Sequence, residues 1–297
     1  MIVLPGYIAE IIERKLKRKI ISFESLSHNP KLKSYTILTD KGYLSLRSSR
    51  ETERIEIEVN GLELMRTKGT TCIPKIIYHD TVEYKKQPLF LLVEEIYGSP
   101  LNSAGLTIFS YNKVLAQLAE ILVGLHDITL YRYGTLGPSL VGSFYTWNSF
   151  LVSSLEKELD VLREHKIFPS TIMKRIQKSL HFRQDKISSS LLHGHIASGY
   201  VYIDKNLHIA TVSNFVYPVS GDPNWELAGF LLYDGLDRAR RLVNCYYLLG
   251  GFVEWDSEDL LKTALRRSAQ SLSYELKIAG PRIERRRDIL LQVLSKM

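Results

Sequence analysis

The side chains between residues 193 and 222 of the types that proton transfer and cation binding need include five: His193, His195, Tyr200, Asn214 and Asp222. An imidazole titrates near neutrality and can take a proton from a hydroxyl. An amide oxygen such as that of Asn214 can coordinate a hard cation but brings no charge, and a phenol such as Tyr200 is a poor magnesium ligand at neutral pH. Asp222 alone of the five carries a formal negative charge. The only other carboxylate between His195 and Asp222 is Asp204. It falls in a predicted turn between two short strands, pointing away from any cleft. A set this poor in carboxylates offers little to a divalent cation.

The elements that must position these residues change in texture along the chain. Apolar residues at spacings of three and four predict an amphipathic helix from Tyr7 to Ile21. Two β-rich runs around Thr39-Asp-Lys-Gly42 predict a hairpin. Arg54 to Thr67 is a predicted helix, and Ile73 to Tyr78 and Leu89 to Val93 are predicted strands. Beyond Gly98-Ser-Pro100 helices dominate: Tyr111 to His126, Trp147 to His165, Thr171 to Phe182, and from Trp225 onward. Short strand-like runs interrupt them at 191–203 and 207–215.

Length and composition are ordinary: 297 residues, 45% hydrophobic and 24% charged. No uninterrupted apolar run reaches the roughly 18 residues that span a bilayer, and nothing at the start reads as a signal peptide, so the expectation is a cytoplasmic chain without a membrane partner. Cys72 and Cys245 are the only cysteines, too few for a disulfide framework or a zinc site of their own. The net charge is +7. Basic runs at 14–19, 238–241 and 282–287 suggest either solvated helix faces or a surface for RNA or another polyanion, with solvated faces the favoured reading.

Leu192-His-Gly-His195 and Gly221-Asp-Pro223, with Glu226-Leu-Ala228 behind them, resemble the aminoglycoside phosphotransferase and choline kinase group. Those proteins carry a His-Gly-Asp loop, an Asn five residues after that Asp, and a strand ending in Ile-Asp-Trp or Ile-Asp-Phe about eight residues before Gly-Asp-Pro. Leu92 to Gly98 resembles the group's hinge strand, Leu118 to His126 its helix ending in Leu-His, and Tyr133-Gly134 ahead of Trp147 also fits. The resemblance covers nearly the whole chain in order. It implies an α+β, bilobal, protein-kinase-like fold: a small β-rich lobe over residues 1–97 and a larger, mainly helical lobe over residues 98–297.

The resemblance also assigns roles. His195 stands at the position of the catalytic Asp, Tyr200 at that of the magnesium-binding Asn, and Asn214 at that of the metal-binding Asp. His193 is then a buried organiser of the loop, and Asp222 supports the loop through backbone hydrogen bonds. Arg47 matches the strand lysine that grips phosphates, and Glu58 matches its helix partner. Glu94 and Ile96 supply the hinge backbone, and Ser27-His-Asn-Pro30, without a glycine, stands in the phosphate loop. Phosphoryl transfer depends on positioning and on neutralising charge, and all three of these positions are altered, with both formal negative charges lost. The implied function is therefore a pseudokinase that binds, scaffolds or regulates. The implied cofactor is ATP or another nucleotide, with magnesium disfavoured. The partner would be a protein or a small-molecule ligand. The alternative is an active ATP-dependent phosphotransferase acting on a small hydroxylated or amino-sugar-like substrate through a rearranged site.

Overall fold

The computed structural model describes residues 4–25, 32–80, 89–94, 97–182 and 187–297. The first sheet is antiparallel. It contains β1 (Ile20–Ser25), β2 (Leu32–Thr39), β3 (Gly42–Ser49), β4 (Ile76–His79) and β5 (Leu89–Glu94) in the order β1-β2-β3-β5-β4. Side chains alternate across a strand, and β5 shows what that decides. Leu89, Leu91 and Val93 join the core formed with α2 (Thr52–Thr67), while Phe90 and Leu92 join a second core on the opposite face with Ile8 and Ile12. Each fully buried leucine contributes about 1.5–3 kcal/mol, so a strand covered on both faces anchors the sheet. In α2, Ile55, Val59, Leu62 and Met65 are buried and form a single stripe at helical spacing.

The helix predicted from Tyr7 to Ile21 is shorter than the periodicity suggests. Here α1 (Gly6–Glu10) passes into a π-helical turn over Ile11–Lys15, and Lys17 takes a left-handed φ of 51°. Ile20 instead pairs with Thr39 as the start of β1. The ladder gives these backbone groups partners that a lone helix end would lack.

The helical lobe is built on α3 (Ile108–His126). By length and composition α3 could cross a membrane, but here Val114, Leu115, Leu118 and Leu122 are buried in the main core. The helix predicted from Trp147 to His165 divides into α4 (Trp147–Val152) and α5 (Leu155–Glu164). At the break, the buried Arg266 donates to the Leu151 carbonyl at 2.7 Å and to Ser154 Oγ at 3.1 Å, and it pairs with Glu158. A charged donor thus replaces the partners that the interrupted helix removes. α6 (Ser170–Ser179) follows.

Two small sheets frame the central loop. β6 (Ser99–Pro100) pairs with β10 (Val201–Ile203), which pairs with β11 (Ile209–Val212). β7 (Tyr133–Leu136), β8 (Gly142–Phe144), β9 (Ser190–Leu192) and β12 (Val219–Gly221) form the other. α7 (Pro223–Asp234) packs on α8 (Leu236–Leu248) and α9 (Glu258–Lys277), and α10 (Ile283–Ser295) closes against α9.

Candidate functional site

The loop that joins β9 to β10 carries His193, His195 and Tyr200, and buried charge holds it from below. Glu226, on α7, accepts hydrogen bonds from the amides of Gly194 at 3.0 Å and Ile196 at 3.3 Å. Arg267, on α9, donates to the Gly194 carbonyl at 3.2 Å and to the Trp225 carbonyl at 2.6 Å, with its guanidinium 4.7 Å from the Trp225 ring centroid. Both side chains are buried. Burial raises the Glu226 pKa, while the Gly194 amide and Arg267 pull it back down. Gly194 itself has a φ of 80°, and a Cβ there would run into the Tyr217 carbonyl, so the loop requires glycine at this point.

Among the described residues Asp222 bonds to Asn224 rather than to the loop backbone expected for it. It caps α7, its Oδ1 accepting from the Asn224 amide at 2.8 Å and from Asn224 Nδ2 at 2.9 Å. An aspartate just ahead of Pro223 sits where a helix start needs an acceptor. The support comes from Glu226, one turn further along, where the carboxylate can reach the loop amides. Sequence reasoning also missed Arg267. For Glu226 the available signal was a lone Glu inside an otherwise apolar helical stretch, since a charge in such a place is seldom buried unless paired; Arg267, next to Arg266 on a helix rich in charge, carried no such signal.

His193 is buried, its Nε2 bonded to the Ser213 carbonyl at 2.9 Å and its ring edge-on to Phe215 at 5.5 Å. It ties the loop to the segment that carries Asn214, whose φ is 70°. His195 lies in an aromatic enclosure. It stacks on Tyr233 at 4.7 Å, meets the edge of Tyr200 at 5.4 Å, and has Tyr217 at 6.4 Å. Burial, followed by the nearby Arg267, lowers its pKa to about 4, so the ring is neutral at pH 7 and a weak base. Burial raises the Tyr200 pKa, which keeps the phenol protonated and unfit as an anionic ligand. The short turn before it is pinned by Asp234, which is buried and accepts from the Ser198 amide at 3.0 Å and from its hydroxyl.

Odd-numbered β3 residues face α2, and Arg47 forms an ion pair with Glu58 there. Burial lowers the Arg47 pKa to about 10, leaving it charged at neutral pH. The Glu94 amide donates to the Lys75 carbonyl at 2.9 Å, and its carboxylate binds Lys75 Nζ at 2.9 Å, so this hinge residue's N–H is committed to the sheet. Ile96 and Ser27 to Pro30 lie outside the described residues. In the basic run 282–287, Arg286 is buried and donates to the Leu232 carbonyl, while the exposed Arg285 donates to the Tyr233 carbonyl at 2.7 Å and the exposed Arg282 pairs with Glu275 at 2.8 Å.

No family model and no curated protein matches the chain. Solved structures do. The apo crystal structure of a thermostable mutant of aminoglycoside phosphotransferase APH(4)-Ia matches with a TM-score of 0.74, covering 97% of this chain and 98% of that one at 16% identity. The fold is that of the aminoglycoside phosphotransferases. A thermostable mutant of the same enzyme in ternary complex with ADP and hygromycin B matches at TM-score 0.74 and 15% identity, covering 97% of this chain and 98% of that one. The GDP and kanamycin complex of a 2″-phosphotransferase, APH(2″)-IIIa, matches at TM-score 0.69 and 15% identity, with 98% of each chain covered. The aminoglycoside phosphotransferase architecture thus runs the length of both chains.

Magnesium, which the phosphotransferase fold implies, does not fit the residues present. His195 is neutral and enclosed by rings, Tyr200 is held as a phenol, and Asn214 offers one uncharged oxygen. The carboxylates bonded to the loop, Glu226 and Asp234, are already engaged with its backbone. Among the described residues no group of three or more His, Cys, Asp or Glu side chains could hold a metal.

Two outcomes follow from this geometry. A Cβ at Gly61 on α2 would overlap the Phe215 ring. Helix propensity alone predicts that Gly61→Ala stabilises by about 1 kcal/mol; the overlap predicts a loss of about 1–3 kcal/mol. Urea unfolding is expected to show the loss, and a gain would mean that Phe215 does not rest there. The second concerns His193, whose pKa burial lowers from 6.5 to about 4. The unfolded chain binds the proton more readily, so this group's contribution is full above pH 6.5 and is lost as pH falls toward 4. At 1.36 kcal/mol per pH unit that is roughly 3 kcal/mol. Between pH 7 and 4, His193→Gln should lose less stability than the natural sequence by about that amount, and parallel curves would contradict a buried neutral imidazole.

Proposed function

We propose that this chain is a pseudokinase of the aminoglycoside phosphotransferase fold, whose cleft binds a nucleotide such as ATP and which acts as a binding, scaffold or regulatory protein without transferring a phosphoryl group. The observation that carries the proposal is the state of His195: a neutral ring stacked on Tyr233 and flanked by Tyr200, in place of the acceptor-activating carboxylate. A nucleotide as ligand is supported by the Arg47–Glu58 pair, which stands at the positions that the resemblance gives to a phosphate-gripping lysine and its partner. It is also supported by the ADP and GDP bound in structures of the same fold. Arginine grips phosphate through a planar fork, so the grip does not require a metal.

The test is a melting titration with ATP and ADP, in magnesium and in EDTA, run beside a phosphate-release assay. A ligand at a hundred times its dissociation constant stabilises by about 2.7 kcal/mol. The expected result is a nucleotide shift of similar size with or without magnesium, and no release above buffer. A magnesium-dependent increment accompanied by turnover would restore the reading of an active phosphotransferase. No shift with any nucleotide would leave a scaffold role alone.

A further inference from the structure

Away from the cleft, the helical lobe holds a cavity of about 650 Å³ between the end of α3 and the starts of α7 and α9. Its lining includes none of His195, Tyr200 and Asn214. Four carboxylates border it, from Asp127, Asp222, Glu258 and Asp259, against the single ammonium of Lys262. That ammonium is already paired with Glu258 at 2.5 Å.

Helix starts favour acidic residues, which accounts for Asp222, Glu258 and Asp259 without any ligand. It does not account for the opposite wall. Asp127 is the residue that ends α3, where the helix presents its negative pole and a carboxylate is disfavoured. Beside it His126, 6% exposed, shares a hydrogen bond of 2.8 Å between Nδ1 and the Tyr246 hydroxyl, while its Nε2 has no partner among the described residues. Asn224 has the same deficit: its Nδ2 donates to Asp222 and its Oδ1 has no partner among the described residues. A buried polar atom left without a partner is destabilising, so such atoms are normally satisfied. Burial lowers the His126 pKa to about 3, so its ring is neutral, and Nε2 is an acceptor whenever Nδ1 carries the hydrogen. Asn224 Oδ1, and His126 Nε2 in that tautomer, are acceptors without a partner among the described residues, and the border of the cavity carries surplus negative charge. A primary ammonium has three donors and no acceptor. Trp147, Tyr246 and Phe252 also line the space, giving apolar and π surface for the body of such a ligand, and the volume lies within the roughly 300–1,000 Å³ of small-molecule sites.

We propose that this cavity is a binding site for a small organic cation, a primary ammonium on an aromatic or aliphatic body, with the ammonium held between Asp222 and Asp127. The site is separate from the cleft and independent of whether the cleft binds nucleotide. Its occupant would lie at the start of α7, one turn before the Glu226 that holds the central loop.

Calorimetry on the whole chain with phenethylamine and putrescine tests the site, with 2-phenylethanol as the neutral match. Asn caps a helix as well as Asp does, so Asp222→Asn removes the charge and keeps the cap. Asp259→Asn alters an exposed residue. The expected pattern is amine binding at least tenfold tighter than alcohol binding, weakened at least tenfold by Asp222→Asn and several-fold by Asp259→Asn, and unchanged by His195→Ala. Three results would overturn the site: no heat with either amine, equal affinity for the alcohol, or affinity indifferent to Asp222→Asn in a variant that melts normally. Loss of amine binding in His195→Ala would place the amine in the cleft and overturn it as well.

Discussion

Replacing Glu226 with alanine is expected to lower stability by about 3–5 kcal/mol, the range found when one partner of a buried charge pair is removed. The magnitude follows from what is left behind. Arg267, bonded to carbonyls, stays buried without the nearby negative charge that offsets its own, and the amides of Gly194 and Ile196 lose their acceptor. Glu226→Gln separates these terms. A glutamine retains one oxygen but turns an NH2 toward the second amide, setting donor against donor, so a smaller loss of about 1–3 kcal/mol is expected. Denaturant unfolding gives both values, and hydrogen exchange at Gly194 and Ile196 locates them. A loss within 1 kcal/mol for alanine would mean that Glu226 does not hold the loop.

That prediction could not have been written from the sequence, for a physical reason. Spacing shows which residues share a face but not which charges the face buries. His193-Gly194 and Gly221-Asp-Pro223 located the loop and the start of α7 because a loop that needs a left-handed glycine and a helix that begins at Asp-Pro tolerate few substitutes. Arg47 and Glu58 were legible as a pair through the resemblance, which sets them at the positions of a strand lysine and its helix partner, and the structure pairs them. The aromatic enclosure was not legible. Tyr200, Tyr217 and Tyr233 come from a turn, a loop and a helix end, and only packing brings them to His195. Helix ends were misplaced where tertiary partners decided them: Ile20 left a helical pattern for a strand ladder, and Arg266 stabilised a break inside what periodicity presents as one helix.

The chain carrying His195→Asp, Tyr200→Asn and Asn214→Asp together is expected to gain a magnesium-dependent melting increment with ATP that the natural sequence lacks. Two unit charges about 4 Å apart at an effective dielectric of 20 interact by about 4 kcal/mol. Two carboxylates facing a divalent ion therefore outweigh what one amide oxygen supplies. Aspartate tolerates the left-handed φ of 70° at position 214; at position 195 the burial that chiefly depresses the His195 pKa works against an ionised carboxylate, while the nearby Arg267, Arg286 and Arg282 favour it. A site filled at a hundred times its dissociation constant would add about 2.7 kcal/mol. At about 2–4 °C per kcal/mol that is an increment of roughly 5–10 °C. His195→Asp alone leaves Tyr200 and Asn214 in place and should add no such increment. If the natural sequence already melts higher with magnesium, the cleft holds the ion by other groups. If the triple variant shows nothing, the loss of charge at these positions is not what keeps the metal out.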